Sequence, residues 1–387
     1  MIEYYMMQFP KIQIPKIQIP KLLPKKFLGV DIGTSAIKIV ELGSFAGRIK
    51  LENYGEMAAR VLYQKPFRTF EKSTLLLSAQ DISRAIKAIC QEAEIKTKES
   101  IFSIPDFSTL FTTFELPPMT AEELPQAVSA EARRQVPLPL GEVTLDWQLI
   151  EGRVSDRENT KLKILLAAVP DEVISQYQQI AELSGLKLFA LEAEVFGLIR
   201  SLIEKKENRA IGLIDIGART TTCSIIEKRL LKVSYSFDTS GDDFTERIVK
   251  GLEMEEEMAE NLKRKYGILI SPQLPTESKD IREILLPLID IILRESEKIF
   301  RNFYLKEGKE IDKIILAGGT AFLPGILEHF QNYFNPAPEQ ARYGARKEIE
   351  IANPFLKIFF PPILEKTLKE MGPAYAIAVG MALRGFE

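Results

Sequence analysis

The sequence has very few of the residues from which disulfide and metal sites are built. Its 387 residues include two cysteines, Cys90 and Cys223, and a single histidine, His329. Two cysteines cannot form a disulfide framework, and the absence of a Cys-x-x-Cys motif argues against zinc and iron–sulfur sites. We therefore expect a cytoplasmic protein, in which His329 packs or lies at the surface of a short helix over residues 324–330.

The chain also lacks a long apolar run and a strong charge of either sign. A membrane-spanning helix needs about 18 apolar residues, but the longest run, residues 284–293, is interrupted by Pro287 and Asp290. Prolines in the first 26 residues argue against a signal peptide. The net charge of −3 gives no general attraction to nucleic acid. Any membrane role is therefore expected to be indirect, through a partner or through the N-terminal tail.

Residues 1–26 differ in composition from the rest of the chain. Two copies of Lys-Ile-Gln-Ile-Pro end at Pro15 and Pro20, and proline at this spacing excludes a stable amphipathic helix. A flexible or polyproline-like tail is one interpretation. The other is an extended peptide ligand that presents Ile and Leu side chains to a sheet edge or a groove. The lysines would bind acidic lipid only weakly.

Two segments repeat one pattern, an apolar run followed by Asp-Ile-Gly, small residues and a second apolar run. The first contains Asp31 and Gly33, and the second, 184 positions later (215 − 31), contains Asp215 and Gly217. Each copy predicts a β-hairpin with a glycine turn. The repeat predicts two related lobes, each offering a phosphate loop to one nucleotide.

A third segment, residues 314–325, reads as a strand that runs into a helix start at Gly318-Gly319. In isolation this would be a plain turn between strand and helix. After the two hairpins, we interpret it as the place where adenosine lies against the backbone at a helix N-terminus.

Polyphosphate requires backbone N–H groups, hydroxyls and a divalent cation. Asp31 and Asp215, at strand ends, are predicted to hold Mg²⁺ through water, because Mg²⁺ keeps much of its hydration. The residues predicted to contact the nucleotide are Gly33, Thr34, Ser35, Lys38, Gly217, Ala218, Thr220, Thr221, Gly241, Gly318, Gly319 and Thr320. For Lys38, a carboxylate partner or an extended, solvated side chain is the main alternative. Glu194 is either a residue that positions an attacking water or a solvated helical glutamate.

Strands and helices alternate along the chain, which predicts an α/β protein. We expect a first lobe over residues 27–113, an inserted small α/β subdomain over 114–190, a connecting helix over 191–209 and a second lobe over 210–387. Helix starts are predicted at Thr120, capped with Glu123 three residues on, and at Glu172, capped by Asp171.

These motifs resemble the actin-like ATPase superfamily and, more narrowly, the PilM family of type IV pilus assembly proteins. The resemblance covers residues 27–384, nearly everything outside the tail. The three nucleotide segments are shared by the superfamily. The run Arg133-Arg134-Gln-Val-Pro-Leu-Pro139, at the end of a predicted helix, is much more particular to PilM.

The resemblance implies a two-lobed actin-like fold with a small inserted subdomain, and ATP with Mg²⁺ in the cleft. It also implies a cytoplasmic protein held peripherally at the inner membrane by the N-terminal peptide of a PilN-type bitopic protein. The related FtsA attaches through a C-terminal amphipathic helix, for which we find no room here. The segment Lys21-Leu-Leu-Pro24 loosely resembles the partner's peptide, so the tail could compete for the same groove.

Three functions are compatible with these observations. The first is an assembly scaffold in which ATP sets the lobe angle and therefore the partner affinity, with at most slow hydrolysis. The second is a filament-forming ATPase similar to FtsA or MreB, which would self-associate. The third and least favoured is a small-molecule kinase, which needs a general base, and Glu194 is the only candidate.

Overall fold

The computed structural model describes residues 25–45, 47–59, 68–71, 74–154, 160–271, 273, 275–336 and 346–387. Of the predicted tail, residues 1–26, residues 1–24 lie outside this range, whereas Lys25 and Lys26 belong to the first strand. The strands are β1 (Lys25–Ile32), β2 (Ala36–Phe45), β3 (Arg48–Ala58), β4 (Arg68–Glu71), β5 (Thr74–Leu77), β6 (Glu99–Ile104), β7 (Leu110–Leu116), β8 (Val143–Glu151), β9 (Leu162–Pro170), β10 (Lys187–Ala193), β11 (Ala210–Ile216), β12 (Thr221–Glu227), β13 (Leu230–Phe237), β14 (Lys313–Ala317) and β15 (Glu348–Ile351). The α-helices are α1 (Ala79–Glu92), α2 (Leu124–Gln135), α3 (Asp171–Ser184), α4 (Glu194–Leu202), α5 (Gly241–Leu252), α6 (Glu256–Tyr266), α7 (Thr276–Glu307), α8 (Ile326–Phe334) and α9 (Glu365–Arg384).

Two five-stranded sheets have the same topology. The first runs β3-β2-β1-β6-β10 and the second runs β13-β12-β11-β14-β15. In both, the first three strands are antiparallel neighbours, and the last two are added in parallel. The duplicated pattern around Asp31 and Asp215 therefore confirms the predicted pair of related lobes.

The strands and helices of the lobes form where apolar periodicity predicts them. In α1 the buried face is formed by Ile82, Ala85, Ile86 and Ile89, which recur at helical spacing. Strand β11 is buried along most of its length, as expected for a central strand covered on both faces. The core of each lobe therefore combines the strands of its hairpin with the helices that pack on them.

A separate three-stranded sheet, in the order β7-β9-β8, forms the inserted unit together with α2. Trp147 is buried in it. The Thr120 N–H donates to the Glu123 carboxylate at 2.9 Å, so the predicted capping contact is present. The α-helix nevertheless begins four residues later, at Leu124, with Pro125 in its first turn, where proline is tolerated.

The inserted unit ends earlier in the structure than the predicted residue 190. Strand β10 lies in the first sheet beside β6, and α3 contributes to the core of the first lobe through Tyr177 and Ile180. By sheet membership the unit therefore spans Leu110–Pro170. The predicted cap of α3 was wrong, because the Asp171 carboxylate accepts a hydrogen bond from the Thr144 hydroxyl at 2.7 Å.

The last helix, α9, was expected in the second lobe but packs on the first sheet. A Cβ atom added to Gly29 of β1 would lie 1.8 Å from the carbonyl oxygen of Ala378 in α9. A Cβ added to Gly380 would lie 1.9 Å from the carbonyl oxygen of Gly197 in α4. Glycine therefore allows strand, connecting helix and last helix to touch backbone to backbone. None of the described helices is both long and apolar enough to cross a bilayer.

Candidate nucleotide-binding site

The two Asp-Ile-Gly hairpins turn in the same way. The Gly33 N–H donates to the Ala36 carbonyl at 2.9 Å, and the Gly217 N–H donates to the Thr220 carbonyl at 3.0 Å. A Cβ at Gly33 would lie 2.8 Å from the Ala36 oxygen, and one at Gly217 would lie 2.9 Å from the Thr220 oxygen. Both turns therefore require glycine, whose own amide closes the turn, so that the tip residues are the ones placed to meet a phosphate.

Asp31 and Lys38 lie on the first hairpin. Asp31 is 4% exposed, near the end of β1, and the Ser103 hydroxyl on β6 donates to its carboxylate at 2.9 Å. Lys38 lies opposite Asp31 on one side and opposite Glu56 on the other. This register agrees with the alternative in which Lys38 has a carboxylate partner. Direct contact between Lys38 and a phosphate stays a prediction.

On the second lobe, Gly318 brings the third motif against Asp215. Gly318 has a φ of 88°, and a Cβ there would lie 2.6 Å from Oδ1 of Asp215 and 2.4 Å from the Ile216 carbonyl oxygen. A Cβ added to the neighbouring Gly319 would meet no atom within 4 Å. The loop is therefore pressed against Asp215 on one side and open on the other.

The Gly318-Gly319 motif does not start an α-helix, contrary to prediction. It leads into a single 3-10 turn, Gly319–Phe322, and α8 begins only at Ile326. The break follows from Pro324, which cannot continue a hydrogen-bonded turn, and from Gly325, which has a φ of 86°. Phe322, the last residue of this turn, is 42% exposed.

The N-terminus of α5 lies against the second hairpin. The Gly241 N–H donates to the Gly217 carbonyl at 3.0 Å, and the Asp242 N–H donates to the Ala218 carbonyl at 2.8 Å. A Cβ on Gly241 would lie 2.5 Å from the Thr320 hydroxyl. The structure thus brings together the predicted residues Gly217, Gly241 and Thr320, although the Gly241 amide already donates to the hairpin.

Ser240 caps this helix. Its amide and its hydroxyl both lie 2.8 Å from the Asp243 carboxylate, which completes a capping box. Although much of the Asp242 residue is exposed, burial of its carboxyl group raises the pKa to about 6.

The prediction for Thr221 disagrees with its position. Its side chain is fully buried, and its hydroxyl donates to the Thr239 carbonyl at 2.6 Å. This hydroxyl therefore fixes the loop before α5 and is not presented to a phosphate. Thr220, Thr34 and Ser35 lie in the hairpin turns with more exposure.

Glu194 is the first residue of α4 and is 9% exposed, so it is not a solvated helical glutamate. The Asp106 N–H lies 3.4 Å from its carboxylate. In return, the Val195 N–H donates to the Asp106 carboxylate at 3.1 Å. Asp106 therefore holds the start of α4 and fixes the position of Glu194.

A buried ion pair beneath the α5 N-terminus was not predicted from the sequence. Lys263 Nζ lies 2.6 Å from the Glu260 carboxylate, and it donates to the Gly241 carbonyl at 2.9 Å and to the Thr245 hydroxyl at 2.8 Å. Burial opposes ionisation of Glu260, but the Lys263 charge and hydrogen bonds from Lys263, Thr245 and Arg264 lower its pKa to about 2. Burial lowers the pKa of Lys263. Only the Glu-x-x-Lys spacing on an amphipathic helix pointed to the pair.

The residues fit a hydrated cation better than a fully protein-bound one. Among the described residues, no three His, Cys, Asp or Glu side chains gather as metal ligands. The donors at the hairpins are Asp31 and Asp215, at strand ends of separate lobes. Mg²⁺ is usually bound through one or two carboxylates, water and phosphate oxygens, which agrees with this donor set.

Comparisons with known proteins give one matching family model and several similar proteins. The family model described as type IV pilus assembly protein PilM matches residues 29–386. The chain is 22% identical over 345 residues to cell division protein FtsA from Streptococcus pneumoniae, covering 80% of this chain and 73% of that protein. A solved PilM–PilN type IV pilus biogenesis complex is similar in structure, with a TM-score of 0.76 and 23% identity, covering 93% of this chain and 98% of the other. MreB 5 of Spiroplasma citri bound to AMPPNP is similar with a TM-score of 0.50 and 14% identity, covering 89% and 97%.

Proposed function

The chain belongs to the family of the type IV pilus assembly protein PilM and has an actin-like fold, and from this we propose that it is an ATP-binding scaffold for type IV pilus assembly. In this proposal the N-terminal peptide of a PilN-type bitopic protein recruits it to the inner membrane from the cytoplasm. The observation that carries the nucleotide part is the pair of matched glycine turns, one on each lobe, with Gly318 against the Asp of the second turn.

The turns would hold the phosphates and the third motif would hold the adenosine. The tips at Thr34 and Ser35 and at Ala218 and Thr220 would donate to phosphate oxygens, since the glycine amides close the turns. Asp31 and Asp215 would bind Mg²⁺ through its water shell, and the bound ion would neutralise phosphate charge. The open side of Gly319 would take the adenosine.

Glu194 would position a water for slow hydrolysis. Its burial and its contact with Asp106 fix the carboxylate in place, as positioning requires. A small-molecule kinase would also need a general base that faces a bound substrate. We therefore propose nucleotide binding as the primary role and hydrolysis as a minor one.

Recruitment through a PilN-type peptide is supported by similarity to a solved PilM–PilN complex. The inserted unit, Leu110–Pro170, has a three-stranded sheet of its own, separate from the two duplicated sheets. It also carries the Arg133-Arg134 helix end that is particular to the family, and both arginines are exposed. We propose that this unit contributes to the partner site.

Titration calorimetry with ATP and Mg²⁺, followed by a PilN-type N-terminal peptide, tests both parts. We expect the unchanged protein to bind both ligands. Asp215→Asn should lose at least tenfold in ATP affinity, because its charge would be missing at the cation. The matched control is Asp280→Asn, an exposed residue at the start of α7, which should bind ATP normally. Peptide binding without ATP binding would mean that the cleft is a relic; ATP binding without peptide binding would point to a filament or a kinase.

A further inference from the structure

One short segment presents three large apolar side chains to solvent. Leu356 is 78% exposed, Phe359 is 60% exposed and Ile363 is 88% exposed. Their neighbours Phe355 and Ile358 are buried in the core beneath the first sheet. The segment is therefore anchored by one set of side chains and displays the other. Several large exposed apolar side chains on one segment are a common feature of contact surfaces.

This segment is fixed to the edge of the first sheet. The Phe359 N–H donates to the Ile49 carbonyl, and the Leu51 N–H donates to the Phe359 carbonyl, both at 2.9 Å. Phe45 is the last residue of β2 and is 74% exposed. It pairs with Arg48 of β3, and Lys50, two residues further along β3, pairs with Phe359. We call the four side chains Phe45, Leu356, Phe359 and Ile363 the edge patch.

The segments that carry the edge patch also carry exposed basic side chains, some of them paired with acidic ones. Arg48, Lys50 and Lys357 are exposed; Lys50 lies 3.7 Å from Glu52, and Lys357 lies 3.3 Å from Glu204. Exposed pairs of this kind are weak and exchange readily with other partners. On the helix that follows, Lys366 and Lys369 are exposed together with Glu365 and Glu370.

The Lys-rich N-terminal segment joins the fold at the same corner. Residues 1–24 contain Lys11, Lys16 and Lys21 and a single acidic residue, Glu3. They lead into Lys25, which pairs with Ser44, the neighbour of Phe45. Apolar side chains and a basic segment are thus brought to one edge of the molecule by the register of β1 and β2.

We propose that the edge patch rests on an anionic bilayer surface, with its apolar side chains between the headgroups and the basic residues facing lipid phosphates. Shallow apolar insertion combined with basic residues is how peripheral proteins bind such surfaces. A second copy of the same patch is a poorer occupant, because a symmetric contact would bring the basic residues of both copies together. Covering by the N-terminal segment would likewise place its lysines against Arg48 and Lys50. The contact adds to recruitment by a partner and does not rest on the nucleotide site.

An inserted tryptophan reports the contact directly. Leu356→Trp is compared with Leu305→Trp, whose parent residue is 71% exposed on α7, and Trp147 is the same buried background in both. With vesicles of phosphatidylglycerol and phosphatidylcholine, we expect a blue shift and quenching by brominated lipid for Leu356→Trp only. Equal behaviour of the two variants, or no change in either, would overturn the proposal.

Vesicle co-sedimentation without nucleotide or peptide measures the strength of the contact. The triple variant Leu356→Ser, Phe359→Ser, Ile363→Ser should lose about tenfold or more in partitioning to the anionic vesicles. Ile270→Ser, at a site that is 79% exposed elsewhere, should not change it. Removal of residues 1–24 should weaken binding further, and neutral vesicles should bind poorly.

Two results would identify another occupant and overturn the proposal. Stronger vesicle binding after removal of residues 1–24 would show that this segment covers the edge patch. A self-associating protein whose oligomers disappear in the triple variant, with vesicle binding unchanged, would show an interface between copies. Since neither assay contains ATP or a partner peptide, failure here leaves the proposed function to be judged by calorimetry alone.

Discussion

The Gly318 amide donates a hydrogen bond to the carbonyl oxygen of Pro373 at 3.0 Å. Gly318 belongs to the candidate adenosine loop of the second lobe, whereas Pro373 lies within α9, which packs on the first sheet. The hydrogen bond therefore joins the nucleotide loop of one lobe to a helix of the other. A change in lobe angle would move this loop relative to Asp215, which offers a physical route from bound nucleotide to lobe arrangement.

The two adjacent glycines of this loop should respond differently to substitution. Gly318→Ala places a Cβ against Asp215 and Ile216 at a φ of 88°, and we expect a loss of roughly 2–4 kcal/mol in unfolding free energy together with weakened ATP binding. Gly319→Ala meets open space and should leave the unfolding free energy within about 0.5 kcal/mol. Urea unfolding of both variants makes the comparison. Equal stabilities would mean that the loop relaxes away from Asp215.

Much of the fold follows from sequence periodicity. The hairpins at Asp31 and Asp215 were predictable because apolar alternation on both sides of a glycine turn is a local pattern. The packing of α9 on the first lobe was not, because its apolar face would suit either sheet. What decides its position is close backbone contact at Gly29 and Gly380, which depends on residues far apart in sequence.

The position of the motifs in the candidate site could be predicted from the sequence, whereas the contacts of individual side chains often could not. Gly217, Gly241, Gly318 and Thr320 are brought together by the second lobe, as the pattern of motifs suggested. Thr221 was assigned to phosphate as a hydroxyl residue on the second predicted loop, yet its hydroxyl donates to the Thr239 carbonyl. The role of Asp106 could not be foreseen, because only the fold places it at the start of α4.

The crossing of α4 and α9 should depend on the absence of a side chain at Gly380. Alanine normally favours a helix over glycine by about 1 kcal/mol. Gly380→Ala, however, puts a methyl group 1.9 Å from the Gly197 carbonyl oxygen and must push the two helices apart. We expect a net loss of about 2–4 kcal/mol in unfolding free energy. The control is Gly141→Ala, where a Cβ meets nothing within 4 Å, and thermal unfolding distinguishes the two. A stabilised Gly380→Ala would contradict the backbone contact.

Two ion pairs join the inserted unit to the second lobe. Lys163 of β9 lies 2.7 Å from Glu307 at the end of α7, and Lys232 of β13 lies 2.5 Å from Glu151 of β8. The first pair is largely buried, with side chains 14% and 20% exposed. Glu307→Lys should therefore lower the unfolding free energy by about 1–3 kcal/mol, because it leaves two cations facing each other.

The reversed pair provides the decisive comparison. Lys163→Glu combined with Glu307→Lys should recover at least half of the loss, measured as a coupling free energy in a double-mutant cycle. The matched control is Lys161 with Glu115, 2.8 Å apart within the inserted unit and well exposed, which should show coupling below about 0.5 kcal/mol. Equal coupling in both pairs would mean that the contact with the second lobe adds nothing to ordinary surface attraction.

The Glu260–Lys263 pair should make the unfolding free energy depend on pH in the acid range. The folded pKa of Glu260, about 2, is below the value of about 4.3 for an unfolded glutamate. Its contribution to stability is therefore complete above about pH 4.5 and is lost as the pH falls toward 2. Glu260→Gln should cost roughly 2–3 kcal/mol at pH 6, and the difference from the unchanged protein should shrink as the pH falls to 3.

The difference in unfolding free energy between the two proteins, taken at each pH, removes the contribution of the carboxylates that both contain. Glu246→Gln is the control, because its partner Lys250 lies on the exposed face of α5, where a pair contributes little. Lys263 also contacts the carbonyl of Gly241, so loss of the pair should loosen the α5 N-terminus against the second hairpin. ATP affinity at pH 7 should then fall in Glu260→Gln and stay unchanged in Glu246→Gln. A stability difference that is constant between pH 6 and pH 3 would contradict the depressed pKa.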